Sequence, residues 1–153
     1  MPKTLSPHLL LPHSSRMCLI ESVELVDDNK AVCILTIKES DIFYDNKIQG
    51  VYNWFGIEFM AQSVGIYAGY HSQGAYPEVG LLLSVRKFKS TVNYFGLDET
   101  LIVTAEKSFI EDKIGVFNCN ININDNLVCQ ARLNTYLPPK EQISQILTGS
   151  LKL

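Results

Sequence analysis

One stretch, Gly50 to His71 with the sequence GVYNWFGIEFMAQSVGIYAGYH, limits what this chain can fold into more than any other. Read at about 100° per residue, it predicts one long helix. Phe55, Phe59, Ile66 and Tyr70 share one face, and Ile57, Met60, Val64 and Tyr67 lie opposite. A helix that is apolar on both sides belongs in a core rather than on a surface. Between the faces runs a third stripe of Trp54, Glu58, Ala61, Gln62, Gly65, Ala68 and Gly69, in which small residues mix with an acid and an amide. Glycine inside a helix costs about 1 kcal/mol relative to alanine, so Gly65 and Gly69 imply close approach by another element. Gly50 and Asn53 compete as start signals for the helix.

Glu58 is the only acid in this stretch and admits two readings. A carboxylate in the first turn complements the positive end of the helix dipole. Alternatively, a carboxyl flanked by Ile57 and Phe59, with Gln62 one turn on, is a candidate general acid, because apolar surroundings favour the protonated form.

At 153 residues the chain is the size of one domain with a proper core, and the expected layout is a single domain over 1–153. Residues 1–15, with Pro2, Pro7 and Pro12, form an extended lead-in, and residues 139–153 a weakly amphipathic tail. The net charge of −3 and the scattered Lys and Arg argue against nucleic acid as a partner. No apolar run reaches the roughly 20 residues of a membrane span, and the N-terminus lacks the long apolar core of a signal peptide, so a cytoplasmic protein is expected. Cys18, Cys33, Cys119 and Cys129 form no Cys-x-x-Cys pair and each lies in an apolar stretch, which fits buried reduced thiols better than disulfides or a metal site.

Strand-forming runs flank the helix. Before it, CLIESVELVD and KAVCILTIK form a hairpin about Asp27-Asp28-Asn29. After it come VGLLLSVRKFK, ETLIVTAEKSFI, GVFNCNINI and LVCQARLNTYL, separated by breakers at 93–98, 112–115 and 124–126. Pro138 and Pro139 end the last strand. One helix cannot cover two sheet faces, so the expected class is α+β, with an antiparallel sheet curled around the buried helix.

Four local matches resemble the hotdog-fold 3-hydroxyacyl-acyl-carrier-protein dehydratases of the FabA/FabZ type. Leu10-Leu11-Pro12-His13 followed by Met17-Cys18-Leu19-Ile20 is similar to the family's opening, with Arg16 where proline is usual. Ile57-Glu58-Phe59-Met60-Ala61-Gln62 matches the motif of the hotdog helix and is the most specific. Leu81 to Phe88, LLLSVRKF, resembles the strand ending in Arg/Lys-Phe, and Cys129 to Leu137 the final strand. The helix motif, Arg132 to Tyr136 and Pro138 are most similar to the ApeP-like subgroup, associated with aryl-polyene pigment synthesis. One departure stands out. The typical dehydratase carries a catalytic histidine in His-Phe-Pro-Gly about fourteen residues before the helix glutamate, and here that position is Tyr44.

The resemblance implies dehydration of an acyl thioester, in fatty-acid or polyene-type synthesis, without a cofactor or metal. The chemistry needs a base for the α-proton, an acid for the departing hydroxyl and donors for the enolate-like oxygen. Glu58 is the expected acid. Backbone N–H groups around Trp54, Phe55, Gly56 and Ile57 are the expected donors, with Gln62 beside the substrate. His13 is the candidate base within the chain, against the plainer role of ordering the N-terminal turn. His71 lies about 20 Å along the helix from Glu58. The implied partners are an acyl carrier protein and a second hotdog chain, either a copy of this one or a histidine-containing paralogue, because the family builds its site across a dimer. A hotdog thioesterase, using Glu58 to activate water, and a non-catalytic acyl-binding or partner subunit are the alternatives.

Overall fold

The structure, a computed structural model, describes residues 6–10, 17–71 and 81–136. His13, the loop after His71 and the tail beyond Tyr136 lie outside them. Within the lead-in, Pro7–Leu10 form one helical turn, α1, where an extended segment is expected.

The first hairpin forms as its sequence implies. Strands β1 (Ser22–Val26) and β2 (Lys30–Thr36) pair antiparallel. In the turn, Asp27 Oδ1 accepts the N–H groups of Asn29 at 2.8 Å and Lys30 at 2.9 Å. These bonds hold the Asp27 carboxyl below the usual carboxylate range. Ala31, Cys33 and Leu35 alternate inward, and the residues between them are half-buried.

The central stretch departs from expectation at its start. Gly50–Tyr52 is a short strand, β3, rather than helix. It pairs antiparallel with β5 (Tyr94–Gly96), which lies in a segment read from sequence as a breaker. The pairing explains Gly50, since a Cβ there would run into the Phe95 carbonyl. Val51 and Phe95 are both fully buried across this small ladder. A 3₁₀ turn over Asn53–Phe55 then leads into α2 (Gly56–His71). Asn53 does not cap the helix with its side chain. Its Nδ2 donates to the Val92 carbonyl at 2.8 Å and its backbone N–H to Asn93, tying the helix start to the β5 segment.

The remaining strands are β4 (Leu81–Ser90), β6 (Thr100–Glu111), β7 (Ile114–Ile123) and β8 (Asn126–Tyr136). Six strands form one antiparallel sheet in the order β1-β2-β6-β7-β8-β4. Its inner face carries Leu101, Val103, Ile121 and Leu133, which join Phe59, Met60 and Ile66 of α2 in one core. This is the expected hotdog arrangement, a curled antiparallel sheet around one helix. The C-terminal end of α2 is pinned to the first hairpin: Tyr67 Oη donates to the Asp28 carbonyl at 2.7 Å, and His71 Nε2 lies 2.8 Å from that of Asp27. Among the described residues no helix is long and apolar enough to cross a membrane.

All four cysteines are free thiols, with Cys33, Cys119 and Cys129 buried and Cys18 half-buried. Burial pushes Cys33 and Cys129 up to about 11 and Cys119 up to about 12. Below the 9.0 of an unperturbed thiol, both folded and unfolded chains keep these groups protonated, and their contribution to stability is fully present. Above it the unfolded chain releases protons that the folded chain retains, so stability falls as pH rises towards 11 to 12. The expected result at pH 8 is that a thiol reagent labels Cys18 first in the native chain and the other three only on unfolding. Rapid native labelling of Cys119 would contradict this placement.

Candidate functional site

The site is built at the first turns of α2. Glu58 lies in the first turn, half-buried in the single chain. Four residues on, Gln62 is fully buried at 1 % exposure, and its amide makes three bonds. Nε2 donates to Glu58 Oε1 at 3.0 Å and to the Met17 carbonyl at 2.7 Å, while Oε1 accepts the Leu19 N–H at 2.8 Å. Gln62 therefore clamps the 17–19 segment to the helix and holds one oxygen of the Glu58 carboxyl. Gln62, expected beside the substrate, spends its amide on Glu58 and the 17–19 segment.

The aromatic residues before Glu58 are held in stacks. Trp54, 52 % exposed, stacks on Tyr52 with ring centroids 4.4 Å apart, and Phe55 stacks on Phe43 at 4.1 Å. Phe59 meets Phe95 at 6.0 Å beneath them. Gly56 lets the helix start sit close to the core, since a Cβ there would lie 3.1 Å from Ile121 Cδ1 and 3.3 Å from the Phe95 ring. Of the expected backbone donors, the Gly56 N–H is already bonded to the Asn53 and Trp54 carbonyls. Ile57 is half-buried.

The stack of Phe43 on Phe55 puts the segment around Tyr44 at the helix start. Tyr44, in the histidine position, is half-buried, and desolvation together with the Glu39 and Asp98 carboxylates raises its phenol above 10.0. A shift in this direction makes the phenol a weaker candidate for a base at neutral pH. Among the described residues the histidines are His8, exposed on α1, and His71. The Asp27 contact holds His71 at the far end of α2, about 20 Å from Glu58 along the axis.

The small-residue stripe is only partly covered by the described residues. Ala61, Gly65, Ala68 and Gly69 are only half-buried, whereas Met60, Ser63, Val64 and Tyr67 are buried against the sheet. Sequence reasoning missed two parts of the site: the Met17 to Leu19 segment as a partner of Gln62, and the Phe43 and Tyr52 rings as supports. The first had a signal, because this segment continues the family's opening motif. The second had none in the local pattern.

A family model for the ApeP dehydratase matches residues 5–148. The chain belongs to the ApeP-like dehydratase family. Among solved structures, that of the dehydratase heterocomplex ApeI:P from Xenorhabdus doucetiae is similar at 29 % identity, with 94 % of this chain and 97 % of that chain covered and a TM-score of 0.84. Zebrafish thioesterase superfamily member 2 is similar in fold at 16 % identity, covering 83 % of this chain and 88 % of that chain with a TM-score of 0.63. The PaaI protein from the phenylacetic acid degradation operon of E. coli shares 16 % identity over 74 % of this chain and 80 % of that chain, at a TM-score of 0.58. No curated protein sequence gives a significant match.

Proposed function

We propose that this chain supplies Glu58 as the acid of a 3-hydroxyacyl thioester dehydratase whose base comes from a second, histidine-bearing hotdog chain. One observation carries the reading: the Gln62 amide holds one oxygen of the Glu58 carboxyl, while the position of the family's base is a tyrosine whose phenol is raised. In the reaction the partner's histidine takes the α-proton, the Cβ–O bond breaks, and Glu58 gives its proton to the departing hydroxyl. Water and a 2-enoyl thioester leave, and the histidine's proton returns to Glu58 through solvent. No electrons are exchanged with a cofactor. The acyl group arrives on a carrier protein, and a polyene or fatty-acid type of synthesis uses the product.

Two surfaces support a second chain. Strand β4 is an edge of the sheet, with Leu82 42 % and Leu83 50 % exposed, and an apolar edge strand invites a partner strand. The half-exposed stripe of α2 offers close approach on the helix side. The solved heterocomplex of a similar dehydratase supports a paralogue as the partner rather than a second copy.

The test is reconstitution. This chain, a histidine-containing hotdog chain that co-purifies with it, and their mixture are each given a 3-hydroxyacyl carrier-protein substrate, with enoyl product and free thiol followed together. The expected result is enoyl formation by the mixture, little from this chain alone, and no release of thiol. Thiol without enoyl would favour a thioesterase. Partner turnover indifferent to this chain would favour Glu58 and Gln62 as a purely structural pair.

A further inference from the structure

On the outer face of the sheet, away from α2, lies a cavity of about 280 Å³ lined by Arg86, Lys87, Phe109, Val116, Arg132 and Asn134. Its face follows from strand alternation: Ala131 and Leu133 of β8 point into the core, so Arg132 and Asn134 point away from it. The site is therefore separated from Glu58 by the sheet and does not depend on the dehydratase reading.

Three features concentrate positive charge on this cavity, in which Arg86 and Lys87 are solvent-exposed and Arg132 is half-buried. Arg86 on β4 and Arg132 on β8 are directly opposite in the antiparallel register, a like-charge arrangement that weakens a strand pair. Consecutive strand residues normally face opposite sides, yet Arg86 and Lys87 both line the cavity. The register shifts between Arg86 and Lys89, and Lys87 takes the left-handed conformation at φ 55°, so a strained bulge turns a third cation inward. The lining contains three cationic side chains and no carboxylate among the described residues.

We infer that this cavity binds a phosphate-bearing organic anion. Two guanidinium groups and an ammonium around one space match the geometry and charge of phosphate oxygens. Asn134 is fixed at the wall, because its Nδ2 donates to Ser84 Oγ at 2.8 Å. Phe109, 47 % exposed, and Val116 give an apolar wall for the organic part of the ligand. Occupancy would relieve the opposition of the arginines across β4 and β8.

Thermal melting of the purified chain in a low-salt buffer tests this, with inorganic phosphate, ADP and chloride at matched ionic strength as probes. At about ten times Kd, ADP is expected to raise Tm by roughly 3–6 °C. Inorganic phosphate should act more weakly and chloride not at all. Arg132→Gln should lose the ADP shift yet melt no lower than the wild type without anion, since it removes the like-charge opposition. Arg86→Gln, at the sheet edge, carries the same expectation if Arg132→Gln fails to fold. Phe109→Ala should reduce the ADP shift and leave that of inorganic phosphate. A wild type that responds to ADP no more than to chloride overturns the assignment, as does a full shift in both arginine variants. Loss of complex formation in Arg132→Gln with no phosphate effect overturns it in favour of an acidic protein surface.

Discussion

Glu58→Gln is expected to reduce enoyl formation by the reconstituted pair by about 10²–10⁴-fold, the range over which a positioned proton donor acts. The substitution is close to isosteric. The amide oxygen it introduces can still accept the hydrogen bond that Gln62 Nε2 gives to Glu58, so the helix start and its packing should survive. What disappears is the exchangeable proton on the carboxyl, which the departing hydroxyl needs. The measurement is a rate for enoyl product with a parallel melting curve. A large loss of rate with Tm within a few degrees of wild type identifies Glu58 as chemical rather than structural. A rate within threefold of wild type would remove Glu58 from the mechanism.

Gln62→Leu should act chiefly on stability. Gln62 is 1 % exposed, and leucine fills similar volume without its amide. The Leu19 N–H and the Met17 carbonyl then lose their partner, and Glu58 loses the bond to one of its oxygens. An unsatisfied part-buried group costs about 1–3 kcal/mol, so the pair should cost roughly 2–6 kcal/mol. For a chain of this size that corresponds to a fall in Tm of roughly 4–24 °C. Activity should fall as well, because the clamp positions the acid. A denaturation midpoint unchanged within about 0.5 kcal/mol would mean that water replaces the amide, and the clamp would not be a determinant of the site. Together the two variants separate a chemical role for Glu58 from a supporting one for Gln62.

Much of this was legible in the chain itself, for a physical reason. Alternation in KAVCILTIK, GVFNCNINI and LVCQARLNTYL reports faces of strands, and the Asp27-Asp28-Asn29 turn reports its own hydrogen bonds. These are relations between residues a few positions apart. Apolar residues on both sides of the segment around Phe59 and Met60 required burial, and one buried helix with strands on both flanks required a sheet that curls.

Tertiary structure decided what depends on partners far along the chain. Gly50–Tyr52 carries a pattern that a helix would accept, yet it becomes a strand because Tyr94–Gly96 supplies hydrogen bonds and Phe95 supplies burial. Gln62 reads as one more polar residue on a stripe until Met17 and Leu19 arrive to saturate its amide. Arg86, Lys87 and Arg132 read as surface charge in two separate strands until the β4–β8 register and its bulge bring them to one cavity. Periodicity records which way a side chain faces, whereas the identity of what it meets is set by strand register and chain closure, to which the local pattern is blind.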